Sequence, residues 1–247
     1  MYINDTHIGF YLIASLIGLL VGQFVDWIKE RLPENKKVFS IDIIRRYKID
    51  FRPNYLLMLV TSAIYVILVY NFGIQDNFIG NLNLIQYLIL TPMLLSAFAI
   101  DYKLQIIPNR LNLTIFETGL IIAFLYGMSN VAITIDMLLG MIAGIAIFLI
   151  ITLIGGLVYG KESMGLGDIK FIGALGLYFG LTKITVISII AFLIGAIIGV
   201  ILIITKRKKA DEYIPFGPFI VIAAFICILV PFETVITALK VIFTLKI

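Results

Sequence analysis

Two aspartates in this 247-residue chain stand where a carboxylate is expensive. Asp168 follows Met164-Gly165-Leu166-Gly167 and precedes Ile169-Lys170, with long apolar segments on both sides. Asp101 follows Ser96-Ala97-Phe98-Ala99-Ile100 and precedes Tyr102-Lys103. Hydrocarbon does not solvate an acidic side chain, so one at the edge of an apolar segment is a functional-site candidate by default. Two carboxylates brought near one another do not both ionise readily, and they share a proton. Such a pair can take a proton from water as it attacks an amide and return it to the leaving nitrogen. This is the chemistry of aspartic proteases. Gly165 and Gly167 put no side chain beside Asp168, so another backbone can come close. Other hydrolytic designs lack their parts. His7 is the only histidine, and the charge pattern described below puts it on the opposite face from both aspartates, which removes a Ser-His or Cys-His site. There is no His-Glu-x-x-His word. The single Cys227 excludes an intramolecular disulfide and a four-cysteine zinc site, and reads as a small hydrophobe.

The elements that must position these residues are membrane helices. The chain is 61% hydrophobic and 14% charged, against roughly half apolar and about a quarter charged in soluble domains. Eight apolar segments approach the length a helix needs to cross hydrocarbon, roughly 20 residues or fewer where the membrane thins. They cover residues 8–28, 55–72, 84–100, 111–128, 133–158, 169–179, 184–205 and 218–230. Lipid offers no partner to free backbone groups, so each must be helical. The expected fold is an all-α integral membrane protein, with residues 1–247 as a single membrane domain and a short basic loop at about 29–53. Met1 to His7 carry no Lys or Arg, so the start of the chain does not read as a cleavable signal peptide. Sixteen of the nineteen Lys and Arg residues fall in the odd-numbered loops. The positive-inside rule then places those loops in the cytoplasm and both termini outside. Asp101 and Asp168 come out at the same cytoplasmic face, at the ends of different segments.

Charge placement alone leaves three readings open: a catalytic pair, the proton or ion site of a transporter, and charges that anchor helix ends. A transporter would need polar residues along a path at the midplane. Asp136 and Glu117 do fall inside apolar segments, where they need partners, but nearer the outer half. Glu30, Glu34, Asp42, Asp50, Asp211 and Glu212 lie in basic loops and are expected to be solvated or paired. The first loop, with Pro33, Pro53 and an expected short amphipathic helix near 39–47, either rests on anionic headgroups or docks substrate. The piece from Thr234 is expected to lie along the outer interface.

Longer words around the aspartates carry a resemblance. The run from Gly160 to Lys170, followed by Gly173-Ala174-Leu175-Gly176, resembles the second active-site region of type IV prepilin leader peptidases, bacterial membrane aspartic proteases with a Gly-x-Gly-Asp word. Asp101 through Ile107-Pro108-Asn109-Arg110-Leu111 is similar to that family's first active-site region. Ile214-Pro215-Phe216-Gly217-Pro218-Phe219 is similar to its Pro-Phe-Gly-Pro signature. Gly22-Gln23-Phe24 and Arg31-Leu32-Pro33 resemble the end of its first helix and the start of its first loop. Presenilin-type proteases share the Gly-x-Gly-Asp word but have Tyr-Asp at the first aspartate, where this chain has Ile100-Asp101-Tyr102. An assembly factor that kept the fold without activity would not need both aspartates.

The resemblance implies an endopeptidase that removes the short basic leader of type IV prepilins or pseudopilins, cutting after a glycine on the cytoplasmic side of the cell membrane. It implies Asp101 and Asp168 as the catalytic pair. It implies substrate-binding or site-shaping roles for Gly165, Gly167, Lys170, Glu162, Pro108, Asn109, Pro215, Gly217 and Pro218. Glu162 would meet the leader, and Lys170 and Lys103 would hold the loops at the headgroups. No cofactor is implied for the peptidase and no nucleic-acid partner. Many members also methylate the new N-terminus with S-adenosylmethionine, an activity tied to the first loop, and bind zinc there through two Cys-x-x-Cys pairs. This first loop is short and has no cysteine, so no metal is implied and methylation loses its usual support. Asp26 stands where the family commonly has Asn. The substrate's identity and the oligomeric state are not specified by these words.

Overall fold

Proline and glycine decide how these apolar segments meet. The computed structural model describes residues 2–4, 6–34, 36–38, 52–159, 164–206 and 214–244. Among them are eight helices: α1 (Ile8–Arg31), α2 (Tyr55–Phe72), α3 (Phe78–Leu104), α4 (Asn109–Gly127), α5 (Val131–Tyr159), α6 (Leu166–Ile204), α7 (Gly217–Leu229) and α8 (Phe232–Thr244). The only strands among the described residues, β1 (Tyr2–Ile3) and β2 (Thr6–His7), form a two-residue antiparallel pair. Helices α1, α2, α3, α5 and α6 are long and apolar enough to cross a membrane, and α7 is a shorter apolar helix. The protein is therefore an all-α, multi-pass membrane protein. Large apolar side chains such as Leu20, Leu153, Ile154 and Leu157 are exposed, as a lipid-facing surface requires. The amphipathic helix expected near 39–47 lies outside the described residues, as do Asp42, Asp50, Asp211 and Glu212.

The chain divides into two compact units, Met1–Ile100 and Asp101–Ile247. In the first, α1 and α2 approach backbone to backbone. A Cβ on Gly18 would lie 2.5 Å from Ser62 Cα, and one on Gly22 would lie 2.5 Å from the Leu57 carbonyl oxygen. Glycines four residues apart present one smooth helix face, the usual device for close helix contact in lipid. At the end of α1 a polar cluster ties the two helices. The Asn54 side chain donates to Asp26 Oδ1 at 2.7 Å, Lys29 pairs with the same oxygen at 2.6 Å, and Gln23 Oε1 accepts the Asn54 N–H at 2.9 Å. Here an acid in place of an amide at position 26 gains an ion pair. Pro92 inside α3 has no N–H to give to the Leu88 carbonyl. The Tyr65 hydroxyl takes that role, donating to Leu88 O at 2.8 Å. Glu34 pairs with Lys36, whose hydrogen bond and charge hold its carboxyl below the ordinary value. His7 caps α1, with Nδ1 accepting the Gly9 N–H at 3.2 Å.

In the second unit α5 and α6 share the most extensive helix–helix interface. Their backbones touch: a Cβ on Gly176 would lie 2.4 Å from the Gly140 carbonyl carbon. The expected segments 169–179 and 184–205 both lie within α6, and the expected loop between them is one residue. Gly180 has φ 69° and ψ 179°, which breaks the helix. A side chain rarely tolerates that φ. Asp136 Oδ1 accepts the Leu181 N–H at 3.3 Å, so the acid that looked unpartnered inside an apolar segment caps the restarted helix. Glu117 is exposed on α4. Cys227 is buried.

Candidate active site

Asp101 occupies the last turn of α3, which runs four residues past the apolar stretch that reveals it in the sequence. Gln105 ends the helix. Its N–H donates to the Asp101 carbonyl at 2.9 Å, and its φ of 56° turns the chain out of the helix. Pro108 then caps α4, where a residue without an N–H gives up no helical hydrogen bond. Its carbonyl accepts from the N–H groups of Leu111 and Asn112 at 3.0 and 3.2 Å. On the other side, Gly165 caps α6 and its carbonyl accepts the Asp168 N–H at 3.1 Å. This sets Asp168 in the first turn of α6, where unpaired N–H groups and the helix dipole favour a negative side chain.

The two turns converge. Asp101 is 1% exposed and Asp168 is 3% exposed, and both line a single cavity of about 350 Å³. Gln105, Ile107, Asn109, Gly165, Gly167 and Lys170 complete most of its wall. Six of the residues singled out in the sequence therefore share one cavity. Lys170 donates to Asn109 Oδ1 at 3.1 Å, which links the start of α6 to the start of α4 across the rim. Gly167 is not demanded by packing: a Cβ there would make ordinary contact, 3.5 Å from the Ile107 carbonyl oxygen. What its bare backbone leaves open is the cavity itself.

Gly217 meets Asp101 directly. Its N–H donates to Asp101 Oδ2 at 2.9 Å, from the first residue of α7. A helix start is an electropositive end, so this carboxylate oxygen is held by an aimed donor. The Pro-Phe-Gly-Pro word is fixed from the opposite side by aromatic packing. The Phe216 ring lies 4.9 Å from Phe192, 5.8 Å from Phe148 and 5.7 Å from Phe219, centroid to centroid. Phe148 is fully buried. Pro215 and Pro218 flank Gly217 without lining the carboxylate cavity. Glu162 lies outside the described residues. Sequence reasoning gave no role to Gln105, Ile106, Ile107 and Leu166, which also line the cavity. Nor did it single out Asn112, whose side chain donates to the Gly167 carbonyl at 3.1 Å and so ties α4 to the glycine turn. An amide in an otherwise apolar stretch, three residues after Asn109, was the available signal.

Fold and cavity together define a polytopic helical membrane protein with two buried carboxylates on one small chamber. Residues 88–200, which contain both aspartates, match the family described as the type IV leader peptidase family. Among curated relatives, the prepilin leader peptidase/N-methyltransferase of Aeromonas hydrophila is 32% identical over 142 residues, 58% of this chain and 48% of that protein. The Pseudomonas aeruginosa protein of the same name is 35% identical over the same shares. The protein of that name from Xanthomonas campestris pv. campestris is 31% identical over 173 residues, 69% of this chain and 56% of that protein. The chain spans about half the length of the curated relatives it matches. No solved structure matches it.

Proposed function

We propose that this protein is an aspartic endopeptidase that removes the basic leader of type IV prepilins or pseudopilins, with Asp101 and Asp168 as the catalytic pair. The observation that carries the proposal is the burial of both carboxylates on one cavity. One carboxylate takes a proton from water as the water attacks the scissile carbonyl carbon. The other, protonated, donates to the carbonyl oxygen as it gains charge. The amide C–N bond then breaks as the leaving nitrogen receives a proton, and the pair returns to a single shared proton. No step needs a metal or a cofactor.

The reading includes a topology. At about 1.5 Å per residue, the 39 residues of α6 would run about 58 Å if straight, nearly twice a hydrocarbon core of roughly 30 Å. The break at Gly180 lets α6 cross twice, and α7 completes eight crossings within one membrane domain. The odd loops, with sixteen of the nineteen Lys and Arg residues, then face the cytoplasm of the cell membrane, with both carboxylates beside them and both termini outside. The loop at about 29–53, where the resemblance puts methyl transfer, lies mostly outside the described residues, and no step is assigned to S-adenosylmethionine.

The test is incubation of purified protein in liposomes with a peptide spanning a prepilin leader junction, followed by sequencing of the new N-terminus, with and without S-adenosylmethionine. Cleavage at the leader junction, lost in Asp101→Asn and in Asp168→Asn, is the expected result. Substantial cleavage by either variant would refute the pair. A methylated product in the S-adenosylmethionine arm would extend the activity to the second half of the relatives' name.

A further inference from the structure

Gln105 holds a backbone conformation that its side chain does not favour. Its φ of 56° lies in the left-handed region, where a Cβ is crowded and glycine or asparagine is the usual occupant. Of the three non-glycine residues with positive φ among the described residues, Asn4, Gln105 and Lys206, it is the one that lines the carboxylate cavity. The turn does not ask for glutamine. The N–H that caps α3 on the Asp101 carbonyl is backbone, and a glycine would supply it with less strain. An unfavourable backbone kept at a candidate site calls for a reason in the side chain. The other polar side chains on the cavity are already engaged. Asp101 and Asp168 carry the proposed chemistry, Asp101 Oδ2 accepts the Gly217 N–H, and Lys170 donates to Asn109 Oδ1. The Gln105 side chain is exposed and makes no hydrogen bond among the described residues.

A primary amide offers an acceptor oxygen and two N–H donors. An extended peptide offers the complement, because a cleavable segment cannot commit its N–H and C=O groups to helical hydrogen bonds. Its residues repeat at about 3.3 Å, so the residues flanking a bond held at Asp101 and Asp168 lie within the same cavity of about 350 Å³ that Gln105 lines. The amide is neutral and adds no charge beside the two carboxylates. We infer that Gln105 is a substrate-binding residue: its side-chain amide hydrogen-bonds the backbone of a residue flanking the cleaved bond and so holds the scissile carbonyl at the carboxylate pair. The inference rests on the peptidase reading. The contact is to main chain, so it adds binding whatever side chain the substrate carries there.

The test pairs variants with backbone-modified substrates, using purified protein in liposomes. Gln105→Gly relieves the strained φ and removes the amide, so its Tm should equal or exceed that of wild type while kcat/KM for a leader-junction peptide falls about tenfold, the scale of one lost hydrogen bond. Gln105→Leu removes the amide and leaves the backbone as strained as before, and it should lose as much. The substrates are leader-junction peptides in which one amide near the cut, other than the scissile one, is replaced by an ester. Each ester removes one N–H and weakens the carbonyl of the same bond. At one position the ester should lower wild-type kcat/KM about tenfold and that of Gln105→Gly and Gln105→Leu by less than about twofold, the coupling expected when both changes remove the same hydrogen bond. A merely structural Gln105 would show no such coupling. Three results would overturn the inference and leave the peptidase standing: a folded Gln105→Gly or Gln105→Leu that keeps kcat/KM within about twofold of wild type, esters that cost wild type and variants alike, or wild-type protein indifferent to every ester, which needs no variant to fold. Wild-type protein that does not cut the unmodified peptide refutes the peptidase reading and this inference with it.

Discussion

Replacing Gly217 with alanine should separate catalysis from folding in this protein. Gly217 lies at the buried start of α7, and its N–H holds Asp101 Oδ2 at 2.9 Å. A Cβ at this position would sit 2.7 Å from Asp101 Oδ2, 3.1 Å from Cγ and 3.2 Å from the Asp101 Cβ. Ordinary contact begins near 3.4 Å, so the carboxylate oxygen must retreat by about 0.7 Å. The obstacle is the tip of a side chain, not backbone, so the carboxyl can swing aside and the helices stay packed. The chemistry has no such freedom. Displacing a reacting group by about 1 Å costs on the order of 10²-fold in rate, equivalent to about 2.7 kcal/mol of barrier. The strained or lost hydrogen bond to a carboxylate costs stability by about 1–3 kcal/mol, which lowers Tm by roughly 2–12 °C for a chain of this size.

The assay is steady-state cleavage of a leader-junction peptide by Gly217→Ala in liposomes, with Tm measured on the same preparation. Most of the loss should appear in kcat, because Gly217 touches the proposed catalytic group and does not line the carboxylate cavity. Gly199→Ala is the matched comparison: its Cβ would meet only Ile214 Cδ1, at 3.7 Å, and wild-type kinetics are expected. A folded Gly217→Ala that keeps kcat within threefold of wild type would refute the claim that this contact positions Asp101 for catalysis.

Four further outcomes follow from the same structure. Asp101→Asn and Asp168→Asn should each lower kcat by at least the 10²–10⁴-fold that general acid–base groups contribute, with the helical circular dichroism of wild type. Cleavage rate against pH should be bell-shaped, its two apparent pKa values belonging to the pair, and either Asn variant should abolish the bell rather than shift it. Phe148→Ala removes a fully buried ring beneath Phe216 and should destabilise the protein by about 3–5 kcal/mol, read as a lower Tm in detergent. Tyr65→Phe leaves the Leu88 carbonyl, freed by Pro92, without its donor, and should cost about 1 kcal/mol, in the range measured for hydrogen bonds between membrane helices.

The parts of this molecule that were legible in the sequence are those written in composition or in short range. Hydropathy marks α1 to α7 because lipid tolerates no alternative to helical backbone. The two aspartates stand out because charge at the edge of an apolar run is costly enough to need a reason. What the sequence hides is written in contacts across long separations. Asp136 looks like a stray charge until Gly180, 44 residues later, breaks α6 and exposes an N–H for it to cap. Asp101 and Gly217 are 116 residues apart, and nothing in either local word says that one donates to the other. Gln105 is harder still, because its interest lies in a hydrogen bond that its side chain does not make. The Pro-Phe-Gly-Pro word shows why the glycine and the prolines within it have different reasons to be there. Pro218 starts a helix, which many sequences can do. Gly217 is fixed by a partner: any larger residue would occupy the space of the Asp101 carboxyl, and a residue without an N–H would release it. The glycine therefore belongs to the site, and the prolines and the phenylalanine cluster serve to hold that one N–H where the carboxylate needs it.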